Sequence, residues 1–180
     1  MLVILSGSSG SGKTTVIQKI IDLKPEIQLM KTCTTRDKRN KNDDTYIFLS
    51  LEEFNQKIQN GEFFEFQQVH KGLLHGTLKS SLERVKESDC IFIKDIDVLG
   101  AKKIKQYLGE NVKMIFLDVP KEELRKRITA RGESKESVEI RLSRYEFENS
   151  FKKDYDLIIK NKDVDATVKA ILSYLEEEKC

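Results

Sequence analysis

Cysteine and histidine are scarce in this sequence. Its 180 residues include three cysteines, Cys33, Cys90 and Cys180, and two histidines, His70 and His75. The cysteines are odd in number, lie far apart and form no Cys-x-x-Cys pair. This predicts reduced thiols in a cytoplasmic protein rather than a disulfide framework or a zinc site. Because other ligand-type residues do not cluster near the histidines, these do not suggest a metal site either.

Long apolar runs, proline-rich linkers and an excess of one charge are missing as well. The opening MLVIL lacks a basic region before it and a cleavage site after it, so we do not expect a signal peptide. No run approaches the roughly 20 apolar residues of a membrane span. Lysine and arginine total 32 against 30 acidic residues, which gives no general reason to expect nucleic-acid or membrane binding. Two prolines and no repeat favour one domain.

What the sequence does contain is an alternation of apolar strands and amphipathic helices. The runs with the continuous apolar character of strands buried on both faces are 2–5, 90–97, 112–119 and 155–161. Apolar residues recur at helical spacing over 13–23 and 164–175. This alternation predicts an α/β fold with a mostly parallel sheet. Of two interrupting segments, 32–78 indicates an inserted subdomain of short mixed strands, and 121–150 indicates a charge-dense, helical surface element.

The segment GSSGSGKT, residues 7–14, follows the first predicted strand and opens the first predicted helix. It fits G-x-x-x-x-G-K-[ST], which in this context predicts a nucleotide phosphate site. Glycines let consecutive backbone N–H groups face one anion, and the helix adds its positive amino end. We expect Lys13 to reach the outer phosphates and the Thr14 hydroxyl to ligate Mg²⁺. The residues predicted to hold the triphosphate are Gly7, Ser8, Ser9, Gly10, Ser11, Gly12, Lys13, Thr14 and Thr15.

A triphosphate site is compatible with three kinds of protein. A switch GTPase needs Asp-x-x-Gly, which 97–100 supplies, and Asn-Lys-x-Asp, which 161–164 matches except for its final valine. A binding module without chemistry has no need for Lys13. A small-molecule kinase needs an acceptor pocket and a lid that excludes water, and the two interrupting segments lie where both are required. The kinase interpretation is favoured, and the other two stay open.

Basic residues in KTCTTRDKRN, residues 31–40, indicate where an acceptor binds. Arg36 and Arg39 lie three residues apart in a threonine-rich turn, where two guanidinium groups can clamp one phosphate dianion. Tyr46 follows and can add its hydroxyl. An ordinary solvated basic loop has the same composition, so on these residues alone both interpretations remain open.

Several blocks together resemble the guanylate kinase family. The blocks that carry the resemblance, in the family's order and rough spacing, are TTRDKR, YIFLSLEEF, GEFFEF, HGTLKSSLE, IKDIDVLGA, LRKRITARG and IRLSRYEFE. The resemblance implies transfer of a phosphoryl group from ATP to GMP with Mg²⁺, so ATP and GMP are the expected partners. It implies one domain over 1–180. The parts of that domain are a core (1–31, 79–124 and 151–180), a GMP-binding subdomain (32–78) and a lid (125–150).

The resemblance places Arg36, Arg39 and Tyr46 on the GMP phosphate. The chain departs from the family here, because Lys38 replaces a proline, NKNDD is a shorter segment, and His75 replaces a tyrosine. In the family that tyrosine helps to hold the acceptor phosphate. We therefore expect His75 to contact the phosphate, either as a neutral N–H donor or, when protonated, as a positive charge. These departures leave a kinase of another phosphorylated ribose compound as an alternative.

The guanine base is expected at Glu65, which stands where the family has its guanine-reading glutamate. Guanine presents two adjacent donors, N1–H and N2–H₂, which one carboxylate accepts together, whereas adenine presents an acceptor at N1. The resemblance adds Thr32 and Thr77 as assisting hydroxyls and Asp97 as a second acidic contact. An ordinary surface glutamate is the alternative, because Glu65 alternates with phenylalanines along its strand. A glutamate that reads guanine argues against a sugar phosphate as acceptor.

The remaining expectations concern the metal and the lid. The resemblance places Asp95 near the metal, with Thr14, and makes Arg131 and Arg141 lid arginines that reach the ATP phosphates beside the catalytic Lys13. Five arginines lie between 125 and 144, and their spacing from glutamates also suits ordinary surface ion pairs. We therefore expect some of the five to pair with glutamates, and Arg131 and Arg141 to act in the reaction.

Overall fold

Two sheets, each with its own helices, make up the computed structural model of this chain. The structure describes residues 1–38, 41, 43, 45–68 and 72–177, so Arg39, His70 and Cys180 lie outside it. The strands in these ranges are β1 (Leu2–Ser6), β2 (Gln28–Leu29), β3 (Thr32–Thr34), β4 (Tyr46–Phe48), β5 (Phe63–Gln68), β6 (Leu74–Leu78), β7 (Phe92–Asp95), β8 (Val112–Asp118) and β9 (Leu157–Lys160). The helices are α1 (Lys13–Leu23), α2 (Leu51–Gln59), α3 (Lys79–Glu87), α4 (Val98–Leu108), α5 (Lys121–Thr129), α6 (Lys135–Leu142), α7 (Tyr145–Asn149) and α8 (Val164–Glu177).

Five parallel strands form the central sheet, in the order β2-β7-β1-β8-β9. β1 lies in the middle, where Leu2 pairs with Phe92 on one side and with Val112 on the other. All five residues of β1 are buried, as its continuous apolar run predicts. The predicted α/β fold with a mostly parallel sheet is confirmed. The two-residue edge strand β2 was not predicted.

Side chains of β1 alternate between two core layers, one on each face of the sheet. Leu2 and Ile4 belong to the layer that α3 and α4 cover, and Val3 and Leu5 belong to the layer that α1 and α8 cover. Helices on both faces follow from the crossover connections that parallel strands require. Because the carboxyl ends of parallel strands lie at one edge, the segments that follow β1, β7 and β8 meet there.

A second, mixed sheet is built from the chain between β2 and α3, in the order β4-β3-β6-β5. It has an apolar core of its own, formed by Cys33, Phe54 and Phe63. The rings of Phe54 and Phe63 stack with their centroids 4.4 Å apart, which packs α2 onto β5. The small mixed sheet and helix expected in 32–78 are confirmed.

Helices α5, α6 and α7 follow β8, as the helical pattern of 121–150 predicts. Their apolar cluster consists of Val119, Leu124, Ile128, Val138 and Leu142. None of the helices in the described ranges has the length and apolar character needed to cross a membrane. The division of the chain into core, subdomain and lid stays a prediction.

Candidate functional site

A cavity of about 250 Å³ lies between the carboxyl edge of the central sheet and the second sheet. The residues predicted for the site that line this cavity are Gly7, Ser9, Lys13, Thr32, Tyr46, Glu65, His75, Thr77, Asp95 and Asp97. The predicted phosphate loop and the predicted acceptor residues therefore face one shared space, although the two groups come from different sheets.

The loop between β1 and α1 is braced from the end of β9. Asn161, which follows β9, is 2 % exposed; its Nδ2 donates to the Ser11 carbonyl at 2.6 Å, and its Oδ1 accepts from the Thr167 hydroxyl at 2.8 Å. Gly12 caps α1 with a left-handed φ of 92°, and a Cβ there would lie 2.8 Å from that Nδ2. Asn161 is thus a buried brace of the loop with both ends of its amide engaged, whereas the switch interpretation needed it to read guanine.

Lys13, the first residue of α1, folds back over the phosphate loop. Its Nζ donates to the carbonyl of Gly7 at 2.6 Å and to that of Ser8 at 3.3 Å. Burial lowers the pKa of Lys13, while the nearby charges of Asp95 and Glu148 raise it. The ammonium therefore lies beside the loop in a largely desolvated environment, where its electrostatic interactions are stronger than in water.

The other loop residues divide into buried and exposed groups. Ser8 and Ser11 are buried, whereas Thr14 and Thr15 are exposed on the first turn of α1. Gly10 packs against α5, since a Cβ there would lie 2.9 Å from a side-chain carbon of Ile128. The loop is thus held from α5 as well as from β9, with the Thr14 hydroxyl open to solvent.

The predicted guanine end of the cavity is built by the pairing of β5 with β6. This register sets Glu65 opposite Thr77, whose hydroxyl donates to Glu65 Oε1 at 2.6 Å. Burial raises the pKa of Glu65; the hydrogen bond from Thr77 lowers it, and the charge of Asp97 raises it. Asp97 also accepts a hydrogen bond from the amide of Gln67, and Thr32 lines the same wall. The side chain of Glu65 lines the cavity. An ordinary surface glutamate, which was the alternative interpretation, would instead lie on a solvated face of the strand.

Aromatic rings form the wall where the acceptor phosphate is predicted. Tyr46 and His75 stand edge to face with their ring centroids 5.6 Å apart. Arg36 lies behind this wall, with its guanidinium 5.6 Å from the Tyr46 ring centroid and its Nη2 3.0 Å from Asp43 Oδ2. Arg36 is therefore held in an ion pair, whereas the alternative interpretation expected its side chain to be solvated in a basic loop. The second predicted clamp residue, Arg39, lies outside the described residues.

The surroundings of His75 favour its neutral form. Burial lowers its pKa, the charges of Lys94 and Arg36 lower it further, and two nearby carboxylates oppose this only in part. Its Nε2 shares a hydrogen bond with the Thr34 hydroxyl at 3.2 Å. Of the two forms expected for His75, the structure in its present state favours the neutral one, so positive charge at this wall must come from other residues.

The two arginines predicted for the lid occupy different positions. Arg141 joins α6 to the phosphate loop, because its Nη1 donates to Ser9 Oγ at 3.0 Å while its Nε donates to Glu133 at 2.6 Å. Arg131 is exposed, and its charge lowers the pKa of Lys13. The other three arginines of this segment also pair with glutamates: Arg125 with Glu139, Arg127 with Glu123, and Arg144 with Glu148.

The chain matches known proteins over nearly its whole length. A family model described as guanylate kinase matches residues 1–178. The chain belongs to the guanylate kinase family. A guanylate kinase from Bacteroides thetaiotaomicron is 37 % identical to it over 185 residues, which covers 98 % of this chain and 91 % of the relative. One from Prochlorococcus marinus is 38 % identical and covers 97 % of this chain and 96 % of the relative.

Solved structures agree with the family assignment. The crystal structure of guanylate kinase from Anaplasma phagocytophilum matches with a TM-score of 0.76 and 29 % identity, covering 99 % of this chain and 85 % of that one. Shikimate kinase from Aquifex aeolicus matches with a TM-score of 0.52 and 19 % identity, covering 99 % of this chain and 98 % of that one. At that identity the second likeness shows the fold alone.

Sequence reasoning missed a lysine at the site of this guanylate kinase-family chain. Lys94, in β7, is 1 % exposed. Its Nζ donates to the Thr45 carbonyl at 3.2 Å, lies 3.5 Å from Asp95 Oδ1, and stands 3.7 Å from the centroid of the Tyr46 ring. Burial lowers the pKa of Lys94, and Asp95 raises it. A lone lysine inside the apolar run CIFIKDID was the signal that could have revealed it.

Two further cavity residues were also missed. Glu148, in α7, lines the cavity; burial raises its pKa, and the charge of Lys13 opposes this. Gln67 lines the cavity beside Glu65, two residues away on the same face of β5, and donates to Asp97. Sequence reasoning treated the glutamates near these arginines only as surface ion-pair partners, because a solvated and a buried glutamate look alike in a helical pattern.

Proposed function

We propose that this chain transfers the γ-phosphoryl group of ATP to GMP, with ADP and GDP as products. The observation that carries the proposal is the single cavity that joins Lys13 and the phosphate loop to Glu65 and Thr77. A kinase must bring donor phosphate and acceptor into one space from which water is excluded. Membership of the guanylate kinase family supports the same reaction. We expect it to take place in the cytoplasm, where the cysteines stay reduced.

At the donor end, the loop and its lysine act on the charge of the transferred group. An incoming phosphate oxygen replaces the carbonyls of Gly7 and Ser8 as the partner of the Lys13 ammonium. Arg141, already bonded to Ser9 of the loop, adds a second positive charge when the lid closes, and Arg131 adds a third. Charges held in place before the reaction stabilise the transition state without reorganisation.

Mg²⁺ is expected to enter the site with ATP. It prefers oxygen ligands and keeps several waters, so one or two protein oxygens suffice beside the phosphates. The exposed hydroxyl of Thr14 and the carboxylate of Asp95, which lines the cavity, are oxygens that fit this need. In the part of the chain that the structure describes, three or more His, Cys, Asp or Glu side chains nowhere form a metal site of their own. A metal that arrives with the nucleotide is consistent with this.

At the acceptor end, Glu65 reads the base and the aromatic wall receives the phosphate. The hydrogen bond from Thr77 fixes the Glu65 carboxylate and leaves lone pairs on both oxygens for guanine N1–H and N2–H₂. The Tyr46 hydroxyl and the neutral ring of His75 are groups of this wall that can donate a hydrogen bond to the phosphate. Arg36 contributes from behind Tyr46 or after release from Asp43.

A coupled assay of ADP release tests the proposal. ATP is offered with GMP, AMP, CMP, UMP or a ribose bisphosphate as acceptor, and GMP is expected to give the fastest ADP formation. A better rate with AMP or UMP would show that Glu65 does not read guanine. A better rate with a ribose bisphosphate would favour the alternative kinase, and equal turnover without any acceptor would favour a hydrolase.

A further inference from the structure

Lys94 has no part in the reaction described so far, yet it is among the largest fully buried side chains of the described residues. It belongs to β7, whose neighbouring Phe92 and Ile93 are apolar core residues. Burying an ammonium costs free energy that one carboxylate, here Asp95 at 3.5 Å, offsets only in part. For structure alone, an apolar residue would serve this position better, which points to a role for the charge of Lys94.

The surroundings of Lys94 connect the two sheets at the acceptor end of the cavity. The residue itself belongs to the central sheet, but its Nζ donates to the Thr45 carbonyl, just before β4 of the second sheet. The same ammonium lies 3.7 Å from the centroid of the Tyr46 ring, which is within the range of a strong cation–π contact. Lys94 thus fixes both the backbone before Tyr46 and the ring of Tyr46.

The charge of Lys94 is also felt at the cavity wall. His75, edge to face with Tyr46, has its pKa lowered by Lys94 more than by Arg36. Arg36 is nearly compensated, because Asp43 lies 3.0 Å from its guanidinium. A cation on the face of a phenol ring makes its O–H a stronger donor, because it favours the electron-rich oxygen that forms as the proton is shared.

We propose that Lys94 is a positioning residue for the phosphate of the acceptor. It orients the Tyr46 ring, strengthens its hydroxyl as a donor and places positive charge behind the Tyr46–His75 wall. The chain thereby favours a nucleoside 5′-monophosphate over the unphosphorylated nucleoside. This inference rests on the proposed function, since it takes the acceptor phosphate to bind at that wall.

Equilibrium binding of GMP and guanosine, measured by titration calorimetry without ATP, tests the inference. Lys94→Met removes the charge and keeps a long apolar side chain. We expect it to weaken GMP binding about tenfold, because the phosphate loses a nearby positive charge and a strengthened donor, and to change guanosine binding by less than about twofold.

Lys105→Met is the matched control. Lys105 also bonds a backbone carbonyl, that of Val112 at 2.7 Å, and lies 3.6 Å from a carboxylate oxygen of Asp156. These contacts lie at the amino end of β8, away from the cavity. This variant should leave the binding of both ligands unchanged.

The outcomes separate the inference from the proposed function. If the wild-type chain binds guanosine as tightly as GMP, the proposed phosphate site itself is wrong. If wild type prefers GMP and Lys94→Met keeps that preference, or weakens both ligands equally, Lys94 is merely structural and the inference is overturned.

A double-mutant cycle tests whether Lys94 acts through Tyr46. In a Tyr46→Leu background, Lys94→Met should weaken GMP binding clearly less than it does in wild type, because only the direct effect of its charge is left to lose. Costs that simply multiply would mean that the two residues act independently, and would overturn the positioning role.

Discussion

Replacing Asn161 with alanine removes the brace of the phosphate loop and leaves the cavity wall intact. Two buried groups then lose their partners, the Ser11 carbonyl at 2.6 Å and the Thr167 hydroxyl at 2.8 Å. An unsatisfied buried polar group costs about 1–3 kcal/mol, so we expect Asn161→Ala to lower the free energy of unfolding by roughly 3 kcal/mol. For a chain of this length that corresponds to a fall in Tm of about 6–12 °C.

The same change should act on one substrate more than on the other. Without the brace, the loop samples conformations in which its N–H groups no longer face one anion. The KM for ATP should rise roughly tenfold, equivalent to about 1.4 kcal/mol of lost binding. The KM for GMP should stay within about twofold, because Asn161 does not line the cavity. Thermal unfolding and the coupled ADP assay measure the two effects.

Thr167→Val provides the control for the Asn161 prediction. It removes the hydroxyl that Asn161 accepts from and keeps the hydrogen bond to Ser11, so it should lower Tm by less and leave the KM for ATP nearly unchanged. The reasoning is refuted if Asn161→Ala lowers Tm by less than about 2 °C, or if it raises the KM for GMP as much as the KM for ATP.

The remaining predictions concern the cavity itself. Lys13→Ala should lower kcat by about 100-fold or more in the ADP assay while GMP affinity, measured by calorimetry, stays nearly unchanged, because its ammonium acts on the transferred phosphoryl group. Glu65→Gln should raise the KM for GMP roughly tenfold, because an amide presents donors to guanine's donors. Arg141→Ala should lower kcat more than it raises the KM for GMP, since its contact with Ser9 places it at the donor end. His75→Tyr and wild type should give nearly parallel profiles of KM for GMP from about pH 7 to 8, because burial and the charges of Lys94 and Arg36 lower the pKa of His75 and favour its neutral form.

Each of these predictions has a result that contradicts it. Glu62→Gln is the control for Glu65→Gln, because Glu62 pairs with Lys57 at 2.7 Å on the surface. If both changes raise the KM for GMP equally, Glu65 does not read guanine. A Lys13→Ala variant within tenfold of wild type would remove that residue from catalysis. A pure KM effect for Arg141→Ala would move it to the acceptor site. Diverging pH profiles for His75 would mean that the bound phosphate restores its proton.

The sequence predicts those parts of the structure whose conformation is determined by residues that are neighbours in the chain. The phosphate loop is one contiguous segment between a strand and a helix, so its glycines and Lys13 identify it without any knowledge of distant residues. The strands of the central sheet, with the exception of β2, have apolar runs long enough to be read directly. The pairing of Glu65 with Thr77 was reached only through the family resemblance, since the residues lie 12 apart and their register depends on β5 and β6.

The parts that sequence missed depend on contacts between distant segments. Asn161 and Ser11 are 150 residues apart, Lys94 and Thr45 are 49 apart, and no spacing rule relates them. Asn161 itself belongs to 161–164, the segment that nearly matches the Asn-Lys-x-Asp motif of switch GTPases. The charge state of His75 could not be predicted either, because it depends on burial and on a lysine contributed by the other sheet.

The brace also has a consequence for the order in which the chain matures during synthesis. The ribosome makes the GSSGSGKT segment before β9, and the side chain that fixes Ser11 follows 150 residues later. The neighbours of β1 in the sheet, β7 and β8, are also made long after it, and contacts of such separation form slowly. A growing chain that has reached only β8 therefore carries the loop without its brace. We expect it to capture nucleotide only after β9 and Asn161 have emerged, so that ligand binding marks the completed fold.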